Sequence, residues 1–229
     1  MDNLPEKIFA LILSLPAFVA AFTVHEFAHA WSADRLGDDT PRRMGRVTLD
    51  PVAHLDPLGS IMFLVTQLSG YGIGWAKPVP VNSRNLGNPN RDDMLVALAG
   101  PVSNLLQVPF WLGALWLVRV IAESQGVNIE TLYFGDDMLS PLMIAITVLS
   151  SGVWVNILLA AFNMIPIPPL DGHWVLQSLF PPIRPFFATI YPWSFLIVLV
   201  LANTGILGYF IYPFLSFAGV LISRALGLY

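Results

Sequence analysis

Long uncharged apolar runs, separated by shorter polar segments, dominate the pattern of this chain. One run begins at Ile8, two others follow Asp92 and Pro141, and residues 185–223 contain no charged side chain at all. A helix needs about 20 apolar residues to cross the hydrocarbon core of a bilayer. The pattern therefore predicts five spanning helices, the last two forming a hairpin divided at Asn203-Thr204-Gly205.

We expect an all-α polytopic membrane protein that forms a single domain over residues 1–229. The first three predicted spans are Ile8 to about Asp34, Asp92–Ile121 and Pro141–Phe162. A catalytic core over about residues 8–180 precedes a C-terminal helical hairpin over about residues 185–227. The polar stretches Arg35–Asp56 and Ala122–Met138 are predicted to be loops.

Two shorter segments complete the predicted fold. Leu58–Leu68 is apolar but too short to cross a membrane, which favours a re-entrant half-helix. The stretch from Gly70 to Asn82 is predicted to be extended, because Pro78 and Pro80 forbid a helix and confine any strand to a sheet edge. We therefore expect a small membrane-associated β-hairpin there.

Composition agrees with a membrane protein and excludes several other classes. Hydrophobic residues make up 55% of the 229 positions, charged residues 11%, and the mean hydropathy is +0.67. Cysteine is absent, which excludes disulfides and thiolate metal ligands. The net charge of −4 comes without a basic cluster, so nucleic acid is not an expected partner.

The basic residues predict an orientation. Under the five-span topology, nine of the 11 Lys and Arg residues fall on the side where the first span ends. Loops rich in Lys and Arg stay on the cytoplasmic side. We expect a multi-pass protein of the prokaryotic cell (inner) membrane, with the end of the first span and Asp171 near the cytoplasm.

Candidate chemistry lies at His25-Glu26-Phe27-Ala28-His29, near the end of the first span. Histidines four residues apart share one face of a helix and can bind zinc, while the adjacent Glu26 can act as a general base. This pattern is the metallopeptidase signature. The strongest candidate for a third ligand is Asp171, which follows the third span in a proline-rich loop and whose charge is expensive at membrane depth unless paired or metal-bound.

Two further polar residues have open interpretations. His54 lies in a turn-rich segment and could contact the substrate, support a ligand of the metal or simply stabilise the turn. Asn104, in the second span, could donate to an oxyanion or form an interhelical hydrogen bond.

Four ordered motifs together resemble the site-2 protease family of intramembrane zinc metalloproteases. They are His25–His29, the segment Gly74–Val81, Ala99-Gly100-Pro101 with Asn104, and the stretch from Asn163 to Asp171-Gly172. The resemblance implies one zinc ion per chain, with His25, His29 and Asp171 as ligands and Glu26 as catalytic base. It also implies roles near the site for Asn104 and His54. Because this sequence shows no spanning segment before the histidine helix and neither a PDZ nor a CBS domain, we expect it to resemble a minimal catalytic core.

The expected reaction is hydrolysis of a peptide bond in or next to a transmembrane segment of a membrane-protein substrate, as in regulated intramembrane proteolysis. The residues expected to hold an extended substrate by strand addition are Trp75, Lys77, Pro78, Val79, Pro80 and Val81. The alternatives are a zinc-binding membrane scaffold without protease activity and a metal transporter. Glu26 argues against a scaffold, and a single polar cluster without an internal repeat argues against a transporter.

Overall fold

The computed structural model describes residues 4–68, 74–134 and 139–228, which fold as α-helices joined by short connections. The α-helices in these ranges are α1 (Leu4–Arg35), α2 (Thr40–Arg43), α3 (Pro57–Leu68), α4 (Pro89–Ser124), α5 (Ile129–Phe134), α6 (Pro141–Asn163), α7 (Asp171–Leu179), α8 (Arg184–Ile190), α9 (Ser194–Asn203) and α10 (Ile206–Leu226).

Five helical stretches in this part of the chain are long and apolar enough to cross a membrane. They are Ile8–Arg35, Pro89–Ser124, Pro141–Asn163, Pro181–Asn203 and Ile206–Leu226. The fourth begins with a 3-10 turn at Pro181–Ile183 and continues through α8 and α9, which a second 3-10 turn at Tyr191–Trp193 connects. The prediction of an all-α polytopic membrane protein with five spans is confirmed.

Capping residues explain where the spanning helices begin and end. Asn88 precedes α4 and its side chain accepts a hydrogen bond from the backbone amide of Arg91, while Ser140 caps α6 in the same way. Gly205 has a φ of 78° between α9 and α10. A positive φ suits glycine, so the break between α9 and α10 falls at the Asn203-Thr204-Gly205 segment that the sequence singles out.

Both stretches that were predicted to be loops contain a helix, and those two predictions are wrong in that respect. In the first, α2 begins where the side chain of Asp38 accepts hydrogen bonds from the amide and hydroxyl of Thr40. In the second, α5 forms because Ile129 is buried in the apolar core, with 5% of its surface exposed. Local hydrogen bonds in the first segment and tertiary burial in the second outweigh the polar composition.

The short helix α3 has nearly the predicted bounds. The described residues contain no β-sheet. The nearest feature is an isolated antiparallel bridge between Leu55 and Ala76, at the start of an extended stretch that reaches Asn82. Residues 70–73 of the predicted hairpin lie outside the described ranges. The hairpin and the re-entrant position of α3 stay predictions.

Helix α4 lies at the centre of the fold and packs against α1, α6, α7 and α10. The apolar core has members from α4, α5, α6 and α10, which are Val108, Leu115, Ala122, Ile129, Ile146, Val153, Ile157, Ala218, Ile222 and Leu226. Gly152 of α6 lies directly against the indole of Trp111, where any side chain would overlap the ring. Close helix packing around α4 brings α1 and α7 to the same face of this helix.

Candidate metal centre

Three ligand atoms from two helices converge inside the bundle. The Nε2 atoms of His25 and His29 lie 3.0 Å apart, and each lies 3.3 Å from Oδ2 of Asp171. Both histidines are buried and the aspartate side chain is largely buried. Among the described residues this is the group of histidine and acidic side chains that could hold a metal ion.

The other ring nitrogens determine which tautomer each histidine adopts. Nδ1 of His29 lies 2.7 Å from the carbonyl oxygen of Val96, which can only accept, so this nitrogen carries the proton. Nδ1 of His25 lies 2.6 Å from Oδ1 of Asn104. The amide nitrogen of Asn104 donates a hydrogen bond to the carbonyl of Ala21, and this orients the amide oxygen towards His25. Both Nε2 atoms are therefore unprotonated, and their lone pairs face Asp171.

This arrangement brings three electron-rich atoms together, and Oδ2 of Asp171 is buried without a hydrogen-bond partner. A buried charge is costly unless it is paired or binds a metal. Tetrahedral zinc with bonds of about 2.05 Å needs ligand atoms separated by about 3.3–3.4 Å. The observed separations of 3.0–3.3 Å fit that geometry, so the three residues suit a single zinc ion.

Local sequence explains how each ligand is presented. The two histidines are one helical turn apart on α1, which places their rings on one face. Asp171 is the first residue of α7, directly after a segment that contains Pro166, Pro168 and Pro169. The ring of His173 is held by a hydrogen bond from Nδ1 to the carbonyl of Leu170, which ties the start of α7 to the proline-rich segment.

Gly100 makes room for the histidine rings on the opposite side. A Cβ atom at this position of α4 would overlap Nε2 of His29 and Cε1 of His25. Gly100 therefore permits the approach of two imidazole side chains to the α4 backbone.

Glu26 is buried next to the cluster, with 8% of its surface exposed. Its carboxylate has no hydrogen-bond partner in the part of the chain that the structure describes. A carboxylate that is buried and not engaged elsewhere is available to accept a proton from a reacting water.

Asn104 joins three spans by hydrogen bonds. Its amide nitrogen donates to the carbonyl of Ala21 in α1, at 3.1 Å, and to Oδ1 of Asn156 in α6, at 2.9 Å. The nitrogen of Asn156 donates in turn to the carbonyl of Gly152. Both amide hydrogens of Asn104 are used, so in this arrangement Asn104 orients His25 and has no hydrogen free for an oxyanion.

His54 lies in a separate cluster and not against the three ligand atoms. It is completely buried, with Nε2 donating to the carbonyl of Thr48 at 2.9 Å and Nδ1 lying 3.4 Å from a nitrogen of Arg46. Burial lowers the pKa of the Arg46 guanidinium, an effect that the charge of Glu26 opposes.

The residues predicted to bind substrate form the extended stretch beside this cluster. Lys77 and Pro78 are exposed, whereas Val79, Pro80 and Val81 are half-buried. Trp75 is 39% exposed and packs edge-to-face on Phe195 of α9, with ring centroids 5.7 Å apart. The stretch therefore lies between the loop after α1 and the C-terminal hairpin.

Sequence reasoning missed Asn156 and Arg46. Asn156 is completely buried and polar in the middle of an apolar span, which is a signal that could have found it. Arg46 entered only the count of basic residues, and nothing in its local sequence distinguishes it from its exposed neighbour Arg43.

Comparison with known proteins gives consistent matches. The model of peptidase family M50 matches residues 13–202. A Bacillus subtilis protein named "Putative zinc metalloprotease YwhC" is 37% identical over 201 residues, which cover 86% of this chain and 83% of the relative. "Putative zinc metalloprotease Rip2" of Mycolicibacterium smegmatis is 30% identical over 214 residues, covering 91% and 75%.

A Mycobacterium tuberculosis protein, also named Rip2, is 30% identical over 176 residues, covering 76% of this chain and 58% of the relative. No solved structure matches the chain. Because the family match includes the five residues from His25 to His29 and extends past Asp171, the chain belongs to peptidase family M50 and is a zinc metalloprotease of the site-2 type.

Proposed function

We propose that this protein hydrolyses a peptide bond in or next to a transmembrane segment of a membrane-protein substrate, as in regulated intramembrane proteolysis. The proposal rests on one observation. His25 and His29 converge on Oδ2 of Asp171, which is buried beside Glu26 and has no hydrogen-bond partner. His25 and His29 lie on α1 and Asp171 follows α6, and both helices are apolar enough to cross the bilayer, so the substrates are to be reached at the membrane.

We assign one zinc ion per chain to the three ligand residues. When bound, zinc supplies a Lewis acid that polarises the scissile carbonyl and makes water acidic near neutral pH. Val96 and Asn104 hold the Nδ1 protons of the two histidines, which keeps both Nε2 lone pairs aimed at the ion. Glu26 accepts the proton of the attacking water and passes it to the leaving amine.

The extended stretch from Trp75 to Val81 is proposed to hold the substrate. A helical substrate hides its carbonyls in its own hydrogen bonds, so it must unwind before a peptide bond is attacked. The backbone of an extended segment can pair with the unwound stretch by strand addition. Val79 and Val81 alternate with Pro80 along this segment, and their half-buried side chains would contact the substrate on one face.

We further propose that residues 1–229 act as a single domain in the prokaryotic cell (inner) membrane. Ala218 and Ile222 of α10 share the apolar core with Val153 of α6, which supports packing of the hairpin over about residues 185–227 onto the catalytic core over about 8–180. The excess of basic residues at the metal end supports an active site nearer the cytoplasmic side.

The test uses purified protein, a zinc measurement and a panel of single-span model substrates, each with a transmembrane segment between two soluble tags. Wild type and Glu26→Gln should both bind about one zinc per chain, and only wild type should release the tags. Equal processing by the two proteins would exclude the proposed role of Glu26. Zinc binding without cleavage of any substrate in the panel would instead favour a zinc-binding scaffold.

A further inference from the structure

Arg46 is a buried cation in the loop after α2, outside the metal centre. Only 3% of its surface is exposed, a degree of burial that arginine reaches only with partners. Its Nη1 donates to the carbonyl oxygen of Pro78 at 2.9 Å, and its Nη2 donates to that of Lys77. The guanidinium thus binds two consecutive carbonyls of the extended stretch.

His54 supports this arrangement from the other side. Its Nε2 donates to the carbonyl of Thr48, so its Nδ1 is an acceptor that faces Nη2 of Arg46 at 3.4 Å. The backbone carbonyl of His54 also accepts from the amide of Lys77 at 3.0 Å. The histidine that the sequence left open contacts both the guanidinium and the extended stretch.

A second charged residue holds the far end of the same stretch. The amide of Asn82 donates to Oδ2 of Asp38 at 2.7 Å, and Asp38 is completely buried. Asp38 and Arg46 both lie in the connection that follows α1, the helix that carries His25, Glu26 and His29. The stretch is therefore attached at two points to the connection that directly follows the helix carrying the proposed metal ligands and base.

We propose that Arg46 is a positioning residue for peptide hydrolysis, whose guanidinium holds the segment 77–81 in place relative to the metal centre. The proposal rests on the proposed function for the identity of the bound peptide. The geometry requires the planar fork of arginine, because two N–H groups point at two neighbouring carbonyls. Lysine keeps the charge but presents a single ammonium on a flexible stem, so it does not reproduce this contact.

A distance measurement tests the attachment directly. The chain contains no cysteine, so spin labels can be placed on Lys77→Cys in the segment and on Leu179→Cys, an exposed position at the end of α7. With Arg46 present the label distances should form one narrow distribution. Arg46→Lys and Arg46→Gln should both broaden it. The matched control is Arg43→Lys, since Arg43 is an exposed arginine of the same connection that pairs with Asp39.

Zinc content and cleavage of the tagged single-span substrates give the second readout, in the chain without labels. Arg46→Lys should keep wild-type zinc content, while its kcat/KM falls roughly tenfold to a hundredfold, because small displacements of a bound substrate have effects of that size. Arg43→Lys should match wild type in both measurements.

Three results would overturn the proposal. The first is an unchanged distance distribution in Arg46→Lys, and the second is wild-type cleavage by that variant. The third is loss of zinc from Arg46→Lys, because it would mean that Arg46 supports the metal centre and not the segment. If wild type cleaves no better than Glu26→Gln, the proposed function fails. The spin-label distances then still decide whether Arg46 holds the segment.

Discussion

Gly100 lies against the imidazole of His29 so closely that a methyl group on its Cα would overlap the Nε2 atom. Gly100→Ala should therefore displace this nitrogen of a proposed zinc ligand and weaken zinc binding roughly tenfold or more, as measured by competition with a chelator. Gly113→Ala in the same helix is the matched control, because a Cβ there meets no atom within 4 Å. Full zinc affinity in Gly100→Ala would contradict the observed packing of α4 on the histidines.

Asn156 should influence zinc although it does not contact the ligand atoms. Asn156→Leu removes the acceptor for one amide hydrogen of Asn104 and leaves it buried, which costs about 1–3 kcal/mol of stability. We expect a lower melting temperature and roughly tenfold weaker zinc binding, since residues behind a ligand typically contribute at that level. Asn203→Leu, at an exposed position of α9, should change neither quantity. Wild-type affinity and melting in Asn156→Leu would show that this hydrogen bond is dispensable.

Zinc should stabilise the folded protein through Asp171. A ligand at 100 times its Kd raises the free energy of unfolding by about 2.7 kcal/mol. Thermal denaturation of wild type should therefore shift upwards on adding zinc and return on adding a chelator, whereas Asp171→Ala should show no shift. A zinc-dependent shift of equal size in the variant would place the ion elsewhere.

Asp38 should stabilise the connection after α1 in a pH-dependent way. Burial raises the pKa of its carboxyl, but hydrogen bonds from Thr40, Asn82 and Asn85 outweigh this, and the pKa lies below the usual 3.8. A lowered pKa in the folded state means that the stabilisation is present above about pH 4 and is lost as the pH falls through the folded-state value.

Asp38→Asn should consequently lower the free energy of unfolding by about 1–3 kcal/mol at neutral pH, with a smaller difference from wild type in acid. Asp39→Asn is the control, because its side chain is half-exposed and pairs on the surface, where the effect stays within about 0.5 kcal/mol. Melting curves at pH 7 and pH 3 measure both. Equal effects of the two substitutions would remove the special role of Asp38.

Charges in the extended stretch should impair cleavage without affecting the metal. Val79→Asp combined with Val81→Asp places two carboxylates on the half-buried face proposed to contact substrate, and we expect at least tenfold slower release of the tags with zinc retained. Val52→Asp, at a position that is 74% exposed, serves as the control. Unchanged cleavage would exclude strand addition at this face.

The parts of the fold that could be predicted depend on local pattern. Span α6 begins at the predicted residue, Pro141, and ends one residue after the predicted end. This agreement arises because length and apolarity alone define a membrane helix. The pairing of His25 with His29 follows from helical periodicity. Asp171 could be singled out because a carboxylate is rare at that depth.

The parts that could not be predicted depend on partners far apart in the chain. Arg46 and Arg43 look alike in sequence, yet one is buried against carbonyls 31 and 32 residues away and the other is exposed. Asn104 had two possible interpretations in the sequence, because helix packing determines which groups of α1 and α6 lie beside its side chain. Helix α5 formed in an acidic stretch for the same reason, since its apolar partners lie on other helices.

The order of the ligands along the chain has a consequence for biosynthesis. His25 and His29 enter the bilayer with the first span, whereas Asp171 follows the third, about 140 residues later. At 5–20 residues per second the delay between them is roughly 7–28 s. Throughout that interval the nascent protein has the proposed base and two of the three proposed ligands but not the third. Under the proposed site it reaches the membrane as an incomplete protease and becomes competent only after α4 and α6 are in place.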